Sequence, residues 1–261
     1  PKEVRLVKKF FTGMLVLLFA LIVVRPAAAD AASARVDTRT GKVDVYISNQ
    51  DKGSFKFEVR QGKQVRTYDV YKGKNHFNVN YGNGDYTFTL YQSSDGKRYK
   101  RVYRLQKTVR LVHSTAPYLH STQNVSIDSA TSRLASSLSR SSYSTSTQTL
   151  VTSRHVNRLV DYDDKKIMKL SSTYLPNNAD TLRTKRGICY DFASLNAALL
   201  RAQGIPTRLV MGTAKGVDGY HAWNEVFVNG KWRVIDVTRD VTERRTTTYR
   251  SASDYRATLY D

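Results

Sequence analysis

One cysteine, Cys189, stands in 261 residues, so no intramolecular disulfide can form. No Cys/His spacing of the zinc-binding kind occurs, and no glycine loop of the phosphate-binding kind. The acidic stretch Asp161-Tyr162-Asp163-Asp164 lacks the glycine and distal glutamate of an EF-hand loop and reads as a solvated helix end. No cofactor and no metal are therefore expected. Acidic residues are scarce: 22 Asp and Glu stand against 42 Lys and Arg, a formal net charge of +20. Only one long apolar run occurs, Phe10 to Val24, and its 15 residues fall short of the roughly 20 that cross a bilayer as a helix.

That run has a second reading. Lys2, Arg5, Lys8 and Lys9 precede it, Arg25-Pro26 breaks it, and Ala27-Ala28-Ala29 supplies the small residues of a cleavage site before Asp30. Residues 1–29 are expected to be a signal peptide, with a retained membrane anchor as the alternative. No cysteine lies near the cleavage point, which excludes lipid attachment there. The expected location is secreted or associated with the cell envelope.

Without residues 1–29 the balance is 37 basic against 21 acidic side chains. Such an excess attracts polyanions, or else serves solubility alone. For an exported chain the partner is expected to be an anionic cell-wall polymer or a membrane surface, and no nucleic acid is expected. Hydrophobic residues at 40% still allow a real core.

From residue 30 to about 113 the pattern is β. Runs such as Val43-Asp44-Val45-Tyr46-Ile47 and Phe55-Lys56-Phe57-Glu58-Val59 alternate apolar and polar, separated by turn signals at Asp51-Lys52-Gly53, Gly82-Asn83-Gly84-Asp85 and Asp95-Gly96. Tyr86–Tyr91 and Arg98–Leu105 read as the two arms of a hairpin, and the whole as a small antiparallel sandwich. This stretch carries 17 basic and eight acidic residues. Ser114 to Gln123 reads as a linker. Two weakly amphipathic helices are expected beyond it: one carrying Ile127, Ala130, Leu134 and Leu138, the other over about 149–160, with a polar loop at 139–147 between them. The threonine-rich tail 241–261 gives no functional signal.

The chemistry-bearing residues lie between. Arg186-Gly187-Ile188-Cys189 reads as a loop opening into a helix whose buried stripe is Phe192, Leu195, Leu199 and Ala202, ended by Gly204 and Pro206. Cys189 then sits in the first helical turn. There the helix dipole favours a thiolate, and free amide groups can hold a developing oxyanion. His221 to Val228 alternates as a strand, Asn229-Gly230 is a two-residue hairpin turn, and Lys231 to Val237 is expected to return. That register pairs Val228 with Lys231 and sets His221 diagonal to Asp236, within side-chain reach. Asp236 can orient His221, and His221 can serve Cys189 as a base. The alternatives remain a buried structural cysteine or half of an intermolecular disulfide, and an Asp236 that only begins a turn. Trp223 and Trp232 read as core, and Glu225 is the next candidate for the third residue.

Gly187-Ile188-Cys189-Tyr190-Asp191-Phe192-Ala193, the segment Ala198 to Arg208, and His221-Ala222-Trp223-Asn224-Glu225-Val226 with Trp232, Asp236 and Thr238 behind them resemble the core motifs of the transglutaminase-like superfamily over about residues 145–240. The resemblance implies an α+β, papain-like catalytic domain, residues 114–261, with the nucleophile helix packed on an antiparallel sheet and preceded by the β-sandwich. It implies a catalytic Cys189, His221 and Asp236, and acyl transfer from an amide of a protein or peptide substrate through a thioester, resolved by water or an amine. Tyr174 and Asn177 are the upstream candidates for a second oxyanion donor. The rival reading is an inactive scaffold that binds the envelope through its basic β domain.

Overall fold

The computed structural model describes residues 32–261, so the expected signal peptide lies outside the described residues. Seven strands come first: β1 (Ala32–Val36), β2 (Lys42–Ile47), β3 (Ser54–Gln61), β4 (Gln64–Val70), β5 (Gly73–Asn78), β6 (Gly84–Ser93) and β7 (Lys100–Val109). They form two antiparallel sheets, in the orders β1-β2-β5 and β4-β3-β6-β7. The alternation in the sequence decides the layering. Val43, Val45 and Ile47 from one sheet meet Phe55, Phe57, Val59, Tyr86, Phe88 and Leu90 from the other in one core. Phe57 stacks between Phe77 and Phe88, with ring centroids 5.2 and 6.2 Å away. The expected hairpin of β6 and β7 is present.

The stretch expected as a linker is held down at several points. Ala116–Leu119 is a single 3-10 turn with Ala116, Pro117 and Tyr118 buried. Gln123 donates its backbone N–H to the His76 carbonyl and its side-chain amide to the Asp69 carbonyl, each at 2.9 Å. These bonds tie the segment to the sandwich, and the described residues form one compact unit.

The second half is α+β. Helices α1 (Ser129–Leu138) and α2 (Thr145–Leu159) are followed by the two-residue strand β8 (Asp161–Tyr162) and the short helices α3 (Asp164–Ile167) and α4 (Asn178–Thr184). Then come β9 (Arg186–Gly187), α5 (Cys189–Ala202), β10 (Thr207–Ala214), β11 (His221–Val228), β12 (Lys231–Ile235), α6 (Val237–Thr242) and β13 (Tyr255–Tyr260). Helix α2 begins at Thr145, inside the expected polar loop, because Ser144 caps it by accepting from the Thr147 N–H. The large sheet is antiparallel in the order β12-β11-β10-β13. The threonine-rich tail thus supplies an edge strand of this sheet.

Helix α5 packs on β10 and β11 as expected for a papain-like core. Its burial is wider than a stripe: every residue from Asp191 to Arg201 is buried, whereas Ala202, expected in the stripe, is exposed. Buried amides add direction to the apolar contact. Asn196 Nδ2 donates to Asn224 Oδ1 at 2.9 Å, and Asn224 Nδ2 donates to the Ala193 carbonyl at 2.9 Å. An unmade buried hydrogen bond is expensive, so this pair fixes how far α5 slides along β11. Among the described residues no helix is long and apolar enough to cross a membrane.

Candidate active site

Cys189 is the first residue of α5 and is half-buried. Two devices place it there. Asp191, fully buried, accepts from the Ile188 N–H at 2.9 Å and so closes the first turn of the helix. Gly187 allows Asp191 to come close: a Cβ at position 187 would stand 2.7 Å from the Asp191 Cβ. Lys166 Nζ (2.8 Å) and the Tyr174 hydroxyl also donate to the Asp191 carboxylate. The amide groups of Cys189, Tyr190 and Asp191 belong to the first turn, where no helical carbonyl can accept from them.

His221 opens β11 opposite Gly212 of β10 and is buried. The hairpin register is the expected one, from Val228↔Lys231 to Asn224↔Ile235. The return strand, however, stops at Ile235 and does not reach Val237. Asp236 leaves the ladder to cap α6, with its Oδ1 accepting from the Arg239 N–H at 3.0 Å. The turn at Asp236 does not remove it from His221. Its Oδ2 lies 2.8 Å from His221 Nε2, with the carboxylate fully buried. Asp236 therefore both starts a helix and holds the imidazole.

With Nε2 engaged by Asp236, Nδ1 is the ring nitrogen left free to face Cys189, whose proximity favours the His221 imidazolium. Burial opposes the imidazolium most strongly, but hydrogen bonds to Asp236 and Cys189 outweigh it and push the His221 pKa up to about 9. The structure thus brings His221 and Asp236 into direct contact, as the hairpin register suggests. Glu225, the alternative third residue, is occupied elsewhere, pairing with Arg208 Nη1 at 3.0 Å.

Of the two expected oxyanion donors, Tyr174 is engaged otherwise, and Asn177 has its amide oxygen occupied at a helix cap. Asn177 caps α4 by accepting from the Asp180 N–H at 3.0 Å, and the Tyr174 hydroxyl donates to Asp191. Trp223 is core, 1% exposed and packed against Tyr255 with centroids 5.0 Å apart. Among the described residues no cluster of His, Cys, Asp and Glu could hold a metal ion.

One site residue escapes sequence reasoning. Tyr255, from β13, donates its hydroxyl to Asp236 Oδ2 at 3.0 Å. Burial drives its pKa well above the ordinary tyrosine value, so it stays a donor. Nothing in the tail marks it, because its partner lies 19 residues earlier and only the β10–β13 pairing brings the two together.

Residues 132–237 match the family model of the Transglutaminase-like superfamily. An uncharacterised protein of Mycobacterium leprae is 40% identical over 72 residues, 24% of this chain and 25% of that protein. The human kyphoscoliosis peptidase is 34% identical over 70 residues, 23% of this chain and 10% of the peptidase. The chain therefore spans about a quarter and a tenth of the length of these two relatives. Among solved structures, a candidate cysteine protease from Cytophaga hutchinsonii superposes with a TM-score of 0.44 and 18% identity, covering 80% of this chain and 84% of that one. Over residues 132–237, the chain is similar to the Transglutaminase-like superfamily.

Proposed function

We propose that the chain is a cysteine-dependent acyl-transfer enzyme acting on amide bonds, with Cys189 as nucleophile, His221 as proton carrier and Asp236 as its orienting carboxylate. The observation that carries this reading is the fully buried Asp236 oxygen 2.8 Å from His221 Nε2, which leaves Nδ1 to the only cysteine at a helix start. The Cys189 thiolate attacks an amide carbonyl carbon, forming a C–S bond and an oxyanion that first-turn amides of α5 can hold. His221 then gives its proton to the leaving nitrogen, the C–N bond breaks and a thioester remains. Water or an amine, deprotonated by His221, attacks the thioester and the C–S bond breaks, restoring the thiolate.

The substrate is a glutamine side chain or a peptide bond. Water is the favoured acceptor, since the basic surface repels a lysine amine at long range. The name of the human relative, a peptidase, agrees with hydrolysis. This reading also places the protein outside the cell, as the basic and apolar segment before Asp30 suggests, with the sandwich holding it to an anionic envelope polymer. Its exposed basic side chains at Lys97, Arg98, Lys100, Arg101, Arg104 and Lys107 support that.

The test incubates the protein with a glutamine-bearing protein and a labelled primary amine, followed by mass spectrometry. Expected are backbone cleavage or a one-dalton deamidation shift that Cys189→Ser abolishes. Amine incorporation dependent on Cys189 would reverse the choice of acceptor. An inert substrate, together with iodoacetamide alkylation of Cys189 no faster than that of free cysteine at pH 6, would end the enzymatic reading.

A further inference from the structure

The strand order leaves β4 at the edge of its sheet, paired on one side only, with β3. Alternate residues of such a strand turn both backbone polar groups away from the partner. On β4 and the residue after it, these are Val65, Thr67, Asp69 and Tyr71. Asn75 covers the Tyr71 groups: its Oδ1 accepts from the Tyr71 N–H at 2.9 Å and its Nδ2 donates to the Tyr71 carbonyl at 2.6 Å. The Asp69 carbonyl accepts from Gln123. The Thr67 N–H and carbonyl and the Asp69 N–H have no partner among the described residues.

These open groups do not face bulk solvent alone. Thr67 and Asp69 line a groove of about 190 Å³ whose other walls include Tyr174, Leu175, Tyr190 and Met211. Two of those residues adjoin the catalytic pair. Tyr190 follows Cys189 in α5, and Met211 pairs with Ala222, the neighbour of His221. Both pack in one apolar cluster with Cys189. The groove continues into a second depression of about 360 Å³, which shares Asp69, Tyr71 and Thr173 and reaches Lys72.

We infer that the free edge of β4 is the wall of the substrate groove, pairing main chain to main chain with an extended segment of the polypeptide on which Cys189 acts. This inference rests on the acyl-transfer reading for what happens at Cys189, but not for the binding. The physical grounds are three. An exposed edge strand recognises another backbone before it recognises anything else. The tyrosines beside it give flat apolar surface for side chains that alternate along such a segment. The groove also reaches Tyr190 and Met211, which pack in the same apolar cluster as Cys189. The sandwich would then take part in choosing substrate, by conformation more than by sequence: a folded protein could not enter, whereas an unfolded or extended stretch could.

Fluorescein-labelled β-casein, an unfolded polypeptide with glutamines, serves as the probe, bound by the full chain carrying Cys189→Ser to prevent turnover. Thr67→Pro removes one of the two open N–H groups on the groove, at an edge position where proline leaves the β3 ladder intact. It should weaken binding about two- to ten-fold, the worth of one main-chain hydrogen bond, while Thr67→Ala should leave it unchanged. In the chain with Cys189 intact, Thr67→Pro should leave the iodoacetamide rate of Cys189 unaltered. Equal affinities for the proline and alanine variants, or no binding of β-casein to the parent, would overturn the inference. If Thr67→Pro does not fold, hydrogen exchange of the parent decides: casein should slow exchange of the Thr67 and Asp69 amides, and unchanged exchange counts against the edge. Weakened binding beside an unactivated Cys189 would keep the groove and remove the enzyme.

Discussion

Tyr255 and His221 meet the same oxygen of Asp236, the hydroxyl at 3.0 Å and the imidazole Nε2 at 2.8 Å, while the other oxygen caps α6. One carboxylate thus joins the tail strand β13, the His221 strand β11 and a helix terminus. Asp236→Asn should keep the fold, because asparagine caps a helix as well as aspartate does. Turnover should still fall by on the order of 10²- to 10⁴-fold, since the amide neither fixes the tautomer nor balances the imidazolium. Tyr255→Phe should cost much less, roughly three- to ten-fold, the range of one neutral hydrogen bond. Steady-state kinetics with circular dichroism of both variants decides this. Full activity in Asp236→Asn would mean that the orienting group is another residue.

The His221 pKa gives a pH dependence with a definite sign. Its folded-state value, pushed up to about 9, exceeds the ordinary 6.5 of a free histidine. The associated stability is therefore complete below about pH 6.5 and is lost as pH rises through about 9. Thermal midpoints should decline across that window in the parent and decline less in His221→Ala. Turnover should show an alkaline limb near pH 9, where the imidazolium that protonates the leaving nitrogen is lost. A flat profile between pH 7 and 10 would contradict the assigned role.

Gly212 tests whether the tail strand matters to the site. A Cβ there would stand 2.0 Å from the Arg256 carbonyl oxygen and 3.0 Å from the Trp223 ring, at the irregularity in the β10–β13 pairing. Backbone must move to admit it. Gly212→Ala should destabilise the protein by about 1–3 kcal/mol, the usual range of overpacking, and should displace β13 with Tyr255. Hydrogen exchange would show faster opening of residues 255–260, with activity falling at least as far as in Tyr255→Phe. An unchanged melting temperature would show that β13 docks more loosely than described.

The basic face of the sandwich should bind anionic vesicles or an anionic wall polymer weakly and with steep salt dependence. On and beside β7, the exposed Lys97, Lys100, Arg101, Arg104, Lys107 and Arg110 have no carboxylate partner among the described residues, and only Arg98 does, with Asp95 at 3.4 Å. With a screening length of about 10 Å at 0.1 M salt, the field of such a stripe fades quickly as ionic strength rises. Replacing Arg101 and Arg104 by Glu should abolish sedimentation with phosphatidylglycerol vesicles and leave casein turnover in place. Retention that persists at 1 M salt would point to a pocket in place of a charge field.

Local pattern alone determined a good deal of this protein. Period-two alternation placed β2, β3 and β6 because each strand has one wet and one dry face, and that requirement is written residue by residue. Asn229-Gly230 set the hairpin register, since Asn229 and Gly230 both adopt positive φ and few residue types tolerate that. Register then brought His221 within reach of Asp236, and a helix start was legible at Cys189 from Gly187 before it and the apolar residues after it. Tertiary structure decided the rest. It ended β12 at Ile235 and turned Asp236 into a cap, a choice between two local structures that the sequence permits equally. It engaged Asn177 and Tyr174 with nearer partners. It carried Tyr255 and the β4 edge to the site across long separations in the chain. Such contacts depend on how sheets stack and which strand is left at an edge, and no short stretch of residues specifies either.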